Sequence, residues 1–170
     1  GLLVEPKDHP WHCGWHRDGV VEVVPEARTV ELDTAMKEFW HDLRVFNQVN
    51  CALYADSSTW FVPGSHLRTF DLPGETQSTG LPEMQTPPET MSDAEAERYY
   101  LDHCLNMPGA QPVHLYAGDF MIYRNLAWHT GFYLPYQPRA TIHDIISHPD
   151  GSQITAAWRD LQRVARARAK

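Results

Sequence analysis

Within its first twenty residues the chain places an imidazole and a carboxylate two positions apart, His16 and Asp18 in Trp15-His16-Arg17-Asp18-Gly19. Side chains alternate along an extended backbone, so this pair would face one side of a strand. An imidazole nitrogen beside a carboxylate oxygen suits a borderline divalent ion such as iron(II), and a second imidazole would complete a 2-His-1-carboxylate face. The candidate third ligand is His129, in Trp128-His129-Thr130-Gly131, and Arg139 follows ten positions later. Neither His-x-Asp nor a single strand histidine means much alone, since both are commonly solvated or simply packed. A barrel would be needed to bring His129 back to Asp18.

Read in order, His16, Asp18, Asn47-Gln48-Val49-Asn50, Pro63-Gly64-Ser65-His66, His129 and Arg139 resemble the phytanoyl-CoA dioxygenase family of iron(II)- and 2-oxoglutarate-dependent oxygenases. The resemblance runs from about Trp15 to about Ile146. It implies a double-stranded β-helix (a jelly roll, cupin-like) with the metal held by His16, Asp18 and His129 at its open end. It further implies that 2-oxoglutarate chelates the metal through its keto acid, that its distal carboxylate pairs with Arg139, and that a hydroxyl from Thr130 or Thr141 assists. The implied reaction is hydroxylation of a small organic substrate by dioxygen, with release of succinate and CO2. A carboxylate at position 18, where an open coordination site would suggest halogenation, favours hydroxylation. The same resemblance places His66 on a loop beside the barrel, and makes the chain short at its amino end. Two alternatives remain at this point: a metalloenzyme of the same barrel shape that does not use 2-oxoglutarate, and a non-catalytic jelly-roll binding module.

With 170 residues, 42% hydrophobic and 21% charged, the chain has the makings of one folded domain. A formal net charge of −8 argues against a nucleic-acid surface, because a phosphate backbone rewards clustered Lys and Arg. Three cysteines, an odd count, make no disulfide framework and point to a reducing compartment. With no long apolar run and no signal-peptide pattern at the start, a cytoplasmic protein without membrane partners is expected. The substrate and the oligomeric state are not legible.

The elements that must position these groups read mainly as short strands between Gly/Pro turns, an all-β core with a few flanking helices. Strands are expected at 1–4, 19–24, 45–55, 60–62, 126–133 and 139–146. A hairpin is expected at 113–123 around Ala117-Gly118-Asp119. In Trp11 to Asp18, Pro10 and Gly14 disfavour a helix, so His12 is read as a neighbouring or surface residue and Cys13 as a packed side chain. Gln48 and Asn50 share a face of their strand, either inward toward a bound ligand or outward as a polar stripe. Arg139, Thr141 and His143 share another. A guanidinium pointing into a barrel would need an anion, which a bound dicarboxylate supplies; the other reading is an exposed Arg at a strand start. A helix with Asp33 or Thr34 as N-cap fits Met36, Phe39, Trp40 and Leu43. The barrel domain spans 1–151, with an insertion at about 70–112 expected to act as a lid. Within it Ser92-x-x-Glu95 forms a capping box for a helix to about Cys104, making contact through Tyr99, Leu101 and Leu105. Residues 152–170 read as a C-terminal helix.

Overall fold

The computed structural model describes residues 1–4, 11–18, 30–75, 91–134, 136–146 and 148–168. The strand expected at 19–24 lies outside them. Among the described residues, eight strands form two four-stranded antiparallel sheets. The first has the order β1 (Leu2–Val4), β8 (Ala140–Ile146), β3 (Asn47–Ala52), β6 (Phe120–Arg124). The second has the order β2 (Trp11–His16), β7 (His129–Tyr133), β4 (Thr59–Phe61), β5 (Gln111–Pro112). Strands adjacent in a sheet come from distant parts of the chain, which is how residues near position 16 and near position 129 become neighbours. The described residues include three α-helices, α1 (Val30–Trp40), α2 (Asp93–Leu105) and α3 (Gly151–Arg168). No helix among the described residues is long and apolar enough to cross a membrane.

Period-two alternation sets what each sheet face does. In β3 the buried set is Gln48, Asn50 and Ala52, so the polar pair points inward. The outer face of the first sheet leaves Leu2, Val4, Phe120, Ile122 and Ile142 exposed. The outer face of the second is covered: Trp15, Trp60 and Phe132 join Ala96, Tyr100 and Cys104 of α2 in one buried cluster with Met107, Trp128 and Leu134. Tyr100 stacks on Phe132 at 5.3 Å between centroids, and burial of each such large side chain stabilises by roughly 1.5–3 kcal/mol.

Several expectations change here. The capping box of Ser92 and Glu95 is present, but α2 buries the i, i+4, i+8 stripe Ala96, Tyr100, Cys104. Leu105 is exposed, while Tyr99 and Leu101 only flank the cluster. The helix is therefore an outer layer on the second sheet; no described residue of the 70–112 insertion lines the cavity between the sheets, and residues 76–90 lie outside the description. Helix α1 starts at Val30, so Asp33 and Thr34 are not its N-cap; the Thr34 hydroxyl instead donates to the Val30 carbonyl at 2.8 Å. It ends at Trp40, where the buried Arg124 donates to the carbonyls of Trp40 and Asp42 at 2.6 and 2.7 Å, and Leu43 is left exposed beyond it. The hairpin at 113–123 does not form. β5 pairs with β4 in one sheet and β6 with β3 in the other. The turn between them docks on the end of β3, with Gly118 N–H donating to the Ala52 carbonyl and Ala52 N–H to that of Asp119. Gly118 adopts φ +92°, a conformation glycine takes without strain.

Candidate metal centre

A cavity of about 230 Å³ lies between the sheets and takes lining residues from both. His16, Asp18 and His129 converge at one end of it, each offering one ligand atom within 4.8 Å of the others. His16 Nε2 lies 3.4 Å and His129 Nε2 4.0 Å from the same oxygen, Asp18 Oδ1. Donors held roughly 2.0–2.2 Å from one ion sit about 3–3.5 Å apart, so this triad is close to a metal-binding face.

A one-residue slip in the strand pairing creates that face. β2 runs in register with β7 from Trp11↔Tyr133 to Cys13↔Gly131, and then jumps to His16↔His129. Cys13 lines the cavity, so uninterrupted alternation would turn Trp15 inward and His16 out. The bulge reverses this: Trp15 enters the outer hydrophobic cluster and His16 faces His129, their ring centroids 4.2 Å apart. Asp18 does not share a strand with His16 as expected. It sits on a turn past the strand end, its N–H donating to the Asn125 carbonyl at 2.9 Å, and Arg17 between the two points away into the protein.

Each ligand is oriented from behind. His16 Nδ1–H donates to the Gly14 carbonyl at 2.7 Å and His129 Nδ1–H to the Ala127 carbonyl at 2.8 Å. A carbonyl can only accept, so both rings carry a proton on Nδ1 and turn Nε2 to the cavity, a lone pair whenever the ring is neutral. The Gln48 amide donates to Asp18 Oδ2 at 2.5 Å, leaving Oδ1 for the cavity, and the Tyr123 hydroxyl donates to Gln48 Oε1 at 2.6 Å. Burial alone would raise Asp18 and lower His16. Their 3.4 Å pairing, together with the Gly14 carbonyl on His16 and with His129 and Asn125 beside Asp18, outweighs it in both, holding the carboxyl below and the imidazole above its ordinary range. His129, nearly enclosed, is pushed down to about 4 by burial and by His16, against the pull of Asp18.

The other end of the cavity holds Arg139. It is 5% exposed, so it is not a solvated Arg at a strand start. Its Nε donates to Ser58 Oγ at 2.9 Å and to Asp56 Oδ2 at 3.2 Å, and its guanidinium carbon lies 3.7 Å from the centre of the Tyr133 ring. The anion that burial demands is thus supplied within the chain by Asp56. Between the two ends, one wall carries Cys13 and Gly131, and the other Asn50 facing His143, whose Nδ1 meets Asn50 Oδ1.

Of the other candidates, Gln48 and Asn50 line the cavity as the inward alternative required. Thr130 borders it, but its hydroxyl donates to the Cys13 carbonyl and is spent inside the sheet. Thr141 is fully buried on the inner face of β8 without lining the cavity, and its hydroxyl has no protein partner. His66 is not among the residues that line the cavity; its carbonyl accepts the Trp40 indole N–H. His12 is half-buried beside Tyr100, and Cys13 is packed with its sulfur accepting from Gly131 N–H. Sequence reasoning missed Asp56, Tyr133 and Arg17. For Arg17 a signal existed: a charge between two inward residues must point outward into packed protein, and therefore needs partners there.

No family model matches the chain, and no curated protein matches it. Among solved structures it is similar to EvdMO1, with 18% identity over 87% of this chain and 26% of that one, at a TM-score of 0.45. It is similar also to AviO1 from Streptomyces viridochromogenes Tue57, with 18% identity over 87% of this chain and 48% of that one, again at 0.45. The chain spans about a quarter of the first and about half of the second.

Proposed function

We propose that the chain is a double-stranded β-helix carrying an iron(II)- and 2-oxoglutarate-dependent dioxygenase site that hydroxylates a small organic substrate. The strand orders β1-β8-β3-β6 and β2-β7-β4-β5 support the fold. The observation that carries the function is the pairing, in one cavity, of the His16/Asp18/His129 face with Arg139 at the opposite end. Two neutral imidazoles and one carboxylate suit iron(II), and three ligands on one face leave coordination positions for a chelating keto acid and for dioxygen. When bound, these groups supply the oxidising chemistry. The chain's own residues do the positioning. Tyr123 and Gln48 aim one oxygen of Asp18, the two carbonyl-bound imidazoles are held as lone-pair donors, and Asp56, Ser58 and Tyr133 fix the plane of Arg139 for the distal carboxylate of a co-substrate. Gly131, with no side chain, leaves the middle of the cavity free for a carbon chain running from metal to guanidinium.

One observation favours a second reading, a metalloenzyme of the same barrel that uses no 2-oxoglutarate: Arg139 already has a carboxylate partner in Asp56. Anaerobic addition of iron(II) and then 2-oxoglutarate, followed by the visible charge-transfer band, separates the two. A band that needs both additions, disappears in His16→Ala and requires far more 2-oxoglutarate in Arg139→Ala is the expected result. Iron binding with no response to 2-oxoglutarate moves the reading to the second enzyme class. No iron binding leaves a non-catalytic binding module.

A further inference from the structure

Arg17, the middle residue of His16-Arg17-Asp18, is 3% exposed and points away from the cavity. A single guanidinium nitrogen, Nη1, donates to three backbone carbonyls: Ser65 at 2.9 Å, Arg68 at 3.0 Å and Leu126 at 3.2 Å. The guanidinium carbon stands 4.9 Å from the centre of the Trp128 ring and 5.5 Å from that of Trp40, and Nη2 lies 3.5 Å from Asp71. These partners are not a random lining. Leu126 and Trp128 belong to the segment that delivers His129. Ser65 reaches the same segment by a second route, its hydroxyl accepting from Trp128 N–H at 2.9 Å while donating to the Val62 carbonyl at 2.7 Å. Trp128 is held at its far side too, its indole N–H donating to Asp71 and Glu75, each at 3.2 Å, and Glu75 pairs with Arg68.

One side chain therefore joins the two parts of the chain that contribute metal ligands. Its backbone sits between His16 and Asp18, and its head group is bonded to the residues immediately before His129. Alternation makes this arrangement efficient. As the residues on either side face inward, the middle one must face outward, and an arginine there can bind carbonyls that an aliphatic residue cannot.

We infer that Arg17 is a positioning residue for the metal, fixing the His16 and Asp18 donors relative to His129 and so setting metal affinity in addition to fold stability. The inference rests on the metal-site reading above. Groups that orient metal ligands from behind typically alter affinity by about 10–100-fold when replaced. Arg17→Lys keeps the charge and most of the length but lacks the planar fork. Met107→Ala, in the hydrophobic cluster on the outer side of the second sheet, is a destabilised control that removes none of the hydrogen bonds around Arg17.

The test is anaerobic titration of cobalt(II), read by its visible d–d absorption, into wild type, Arg17→Lys, Arg17→Gln and Met107→Ala, with the melting temperature of each metal-free protein measured alongside. Tenfold or greater weakening of cobalt binding in Arg17→Lys, with an altered d–d spectrum, is expected, while Met107→Ala loses thermal stability and keeps wild-type affinity. Arg17→Lys binding cobalt within twofold of wild type, with an unchanged spectrum, overturns the inference and leaves Arg17 a structural residue. Should Arg17→Gln fail to fold, Arg17→Lys decides alone. Failure of wild type to bind cobalt would instead overturn the metal-site reading, and the inference with it.

Discussion

The two ends of the cavity are built on opposite electrostatic plans. At the metal end, His16, Asp18 and His129 turn their donor atoms toward one another, and each is held from behind by a neutral group: a backbone carbonyl for each imidazole, the Gln48 amide for the carboxylate. Lone pairs gathered in this way call for a cation. At the other end, the cation Arg139 and the anion Asp56 neutralise each other within the protein. The first arrangement is incomplete as a polar cluster and the second complete, which teaches that burial alone identifies neither end as functional. What distinguishes the metal end is that its polar atoms are oriented away from the protein's own hydrogen-bond partners.

The largest expected effect breaks the comparison at the metal end. Asp18→Ala removes the shared oxygen and leaves two imidazoles, so cobalt(II) binding at micromolar metal should be lost in the d–d titration. Stability in urea should fall by less than about 1 kcal/mol, because Asp18 is a third exposed and its ion pairing is correspondingly weak. A large loss of stability would mean that the triad is a structural ion-pair cluster.

Arg139→Ala should show the reverse balance. It strands Asp56, whose side chain is 7% exposed, as an unpaired buried carboxylate, at a cost of about 3–5 kcal/mol in urea unfolding, while cobalt affinity stays near wild type. Adding Asp56→Ala to make the double variant should recover part of that loss. If the double variant is no more stable than the single, the ion pair is not what holds this end. The affinity for 2-oxoglutarate, measured on the iron-loaded protein, should fall tenfold or more in Arg139→Ala, and an unchanged affinity favours the second enzyme class.

Gly131→Ala probes the space between the ends. A methyl group there would lie 3.6 Å from the Ser58 carbonyl and the Tyr133 hydroxyl and 3.8 Å from Cys13 Sγ, ordinary contacts that the fold accommodates. The melting temperature should shift by only a few degrees and cobalt affinity should hold. The same methyl narrows the path between triad and guanidinium, so binding of 2-oxoglutarate should weaken severalfold. Equal binding would show that the co-substrate does not run past Gly131.

What could be read from the sequence, and what could not, follows from the range of the interactions. His16 and Asp18 were legible because metal chemistry restricts residue type and because the two are close in sequence, whereas His129 stood out only through the family resemblance. The inward pair Gln48 and Asn50 was legible only as one of two choices, since alternation gives two faces and not which one is buried. The bulge that turns His16 inward was not legible: it exists only in the pairing of β2 with β7, strands more than a hundred residues apart. Asp56 sits in a turn, its carboxylate accepting from Ser58 N–H, and its second role depends on a strand arriving from position 139. The hairpin at 113–123 failed for the same reason. Its turn chemistry was right, but the partner for the following strand was β3.

The smallest effect sharpens the comparison at the metal end. Tyr123 touches neither end's charge directly, but its hydroxyl donates to Gln48 Oε1, and that fixes which edge of the amide faces Asp18. An amide has one accepting and one donating edge. With the oxygen engaged by the phenol, the NH2 group must face the carboxylate; without it, the amide is free to rotate, and the reversed orientation would set an oxygen against Asp18 Oδ2. Tyr123→Phe keeps the ring, and so its edge-on contacts with Phe61 and His129, at 5.7 and 5.4 Å between centroids. Only the hydrogen bond is removed, worth about 0.5–1.5 kcal/mol. If aiming Asp18 matters, that loss should appear in metal affinity as a twofold to tenfold weakening of cobalt binding, and Gln48→Ala, which removes the amide itself, should weaken it at least as much. The Tyr123→Phe and Gln48→Ala double variant should then be no worse than Gln48→Ala alone, because the phenol acts only through the amide. Additive losses would show that Tyr123 reaches the metal by another route, such as its contact with His129.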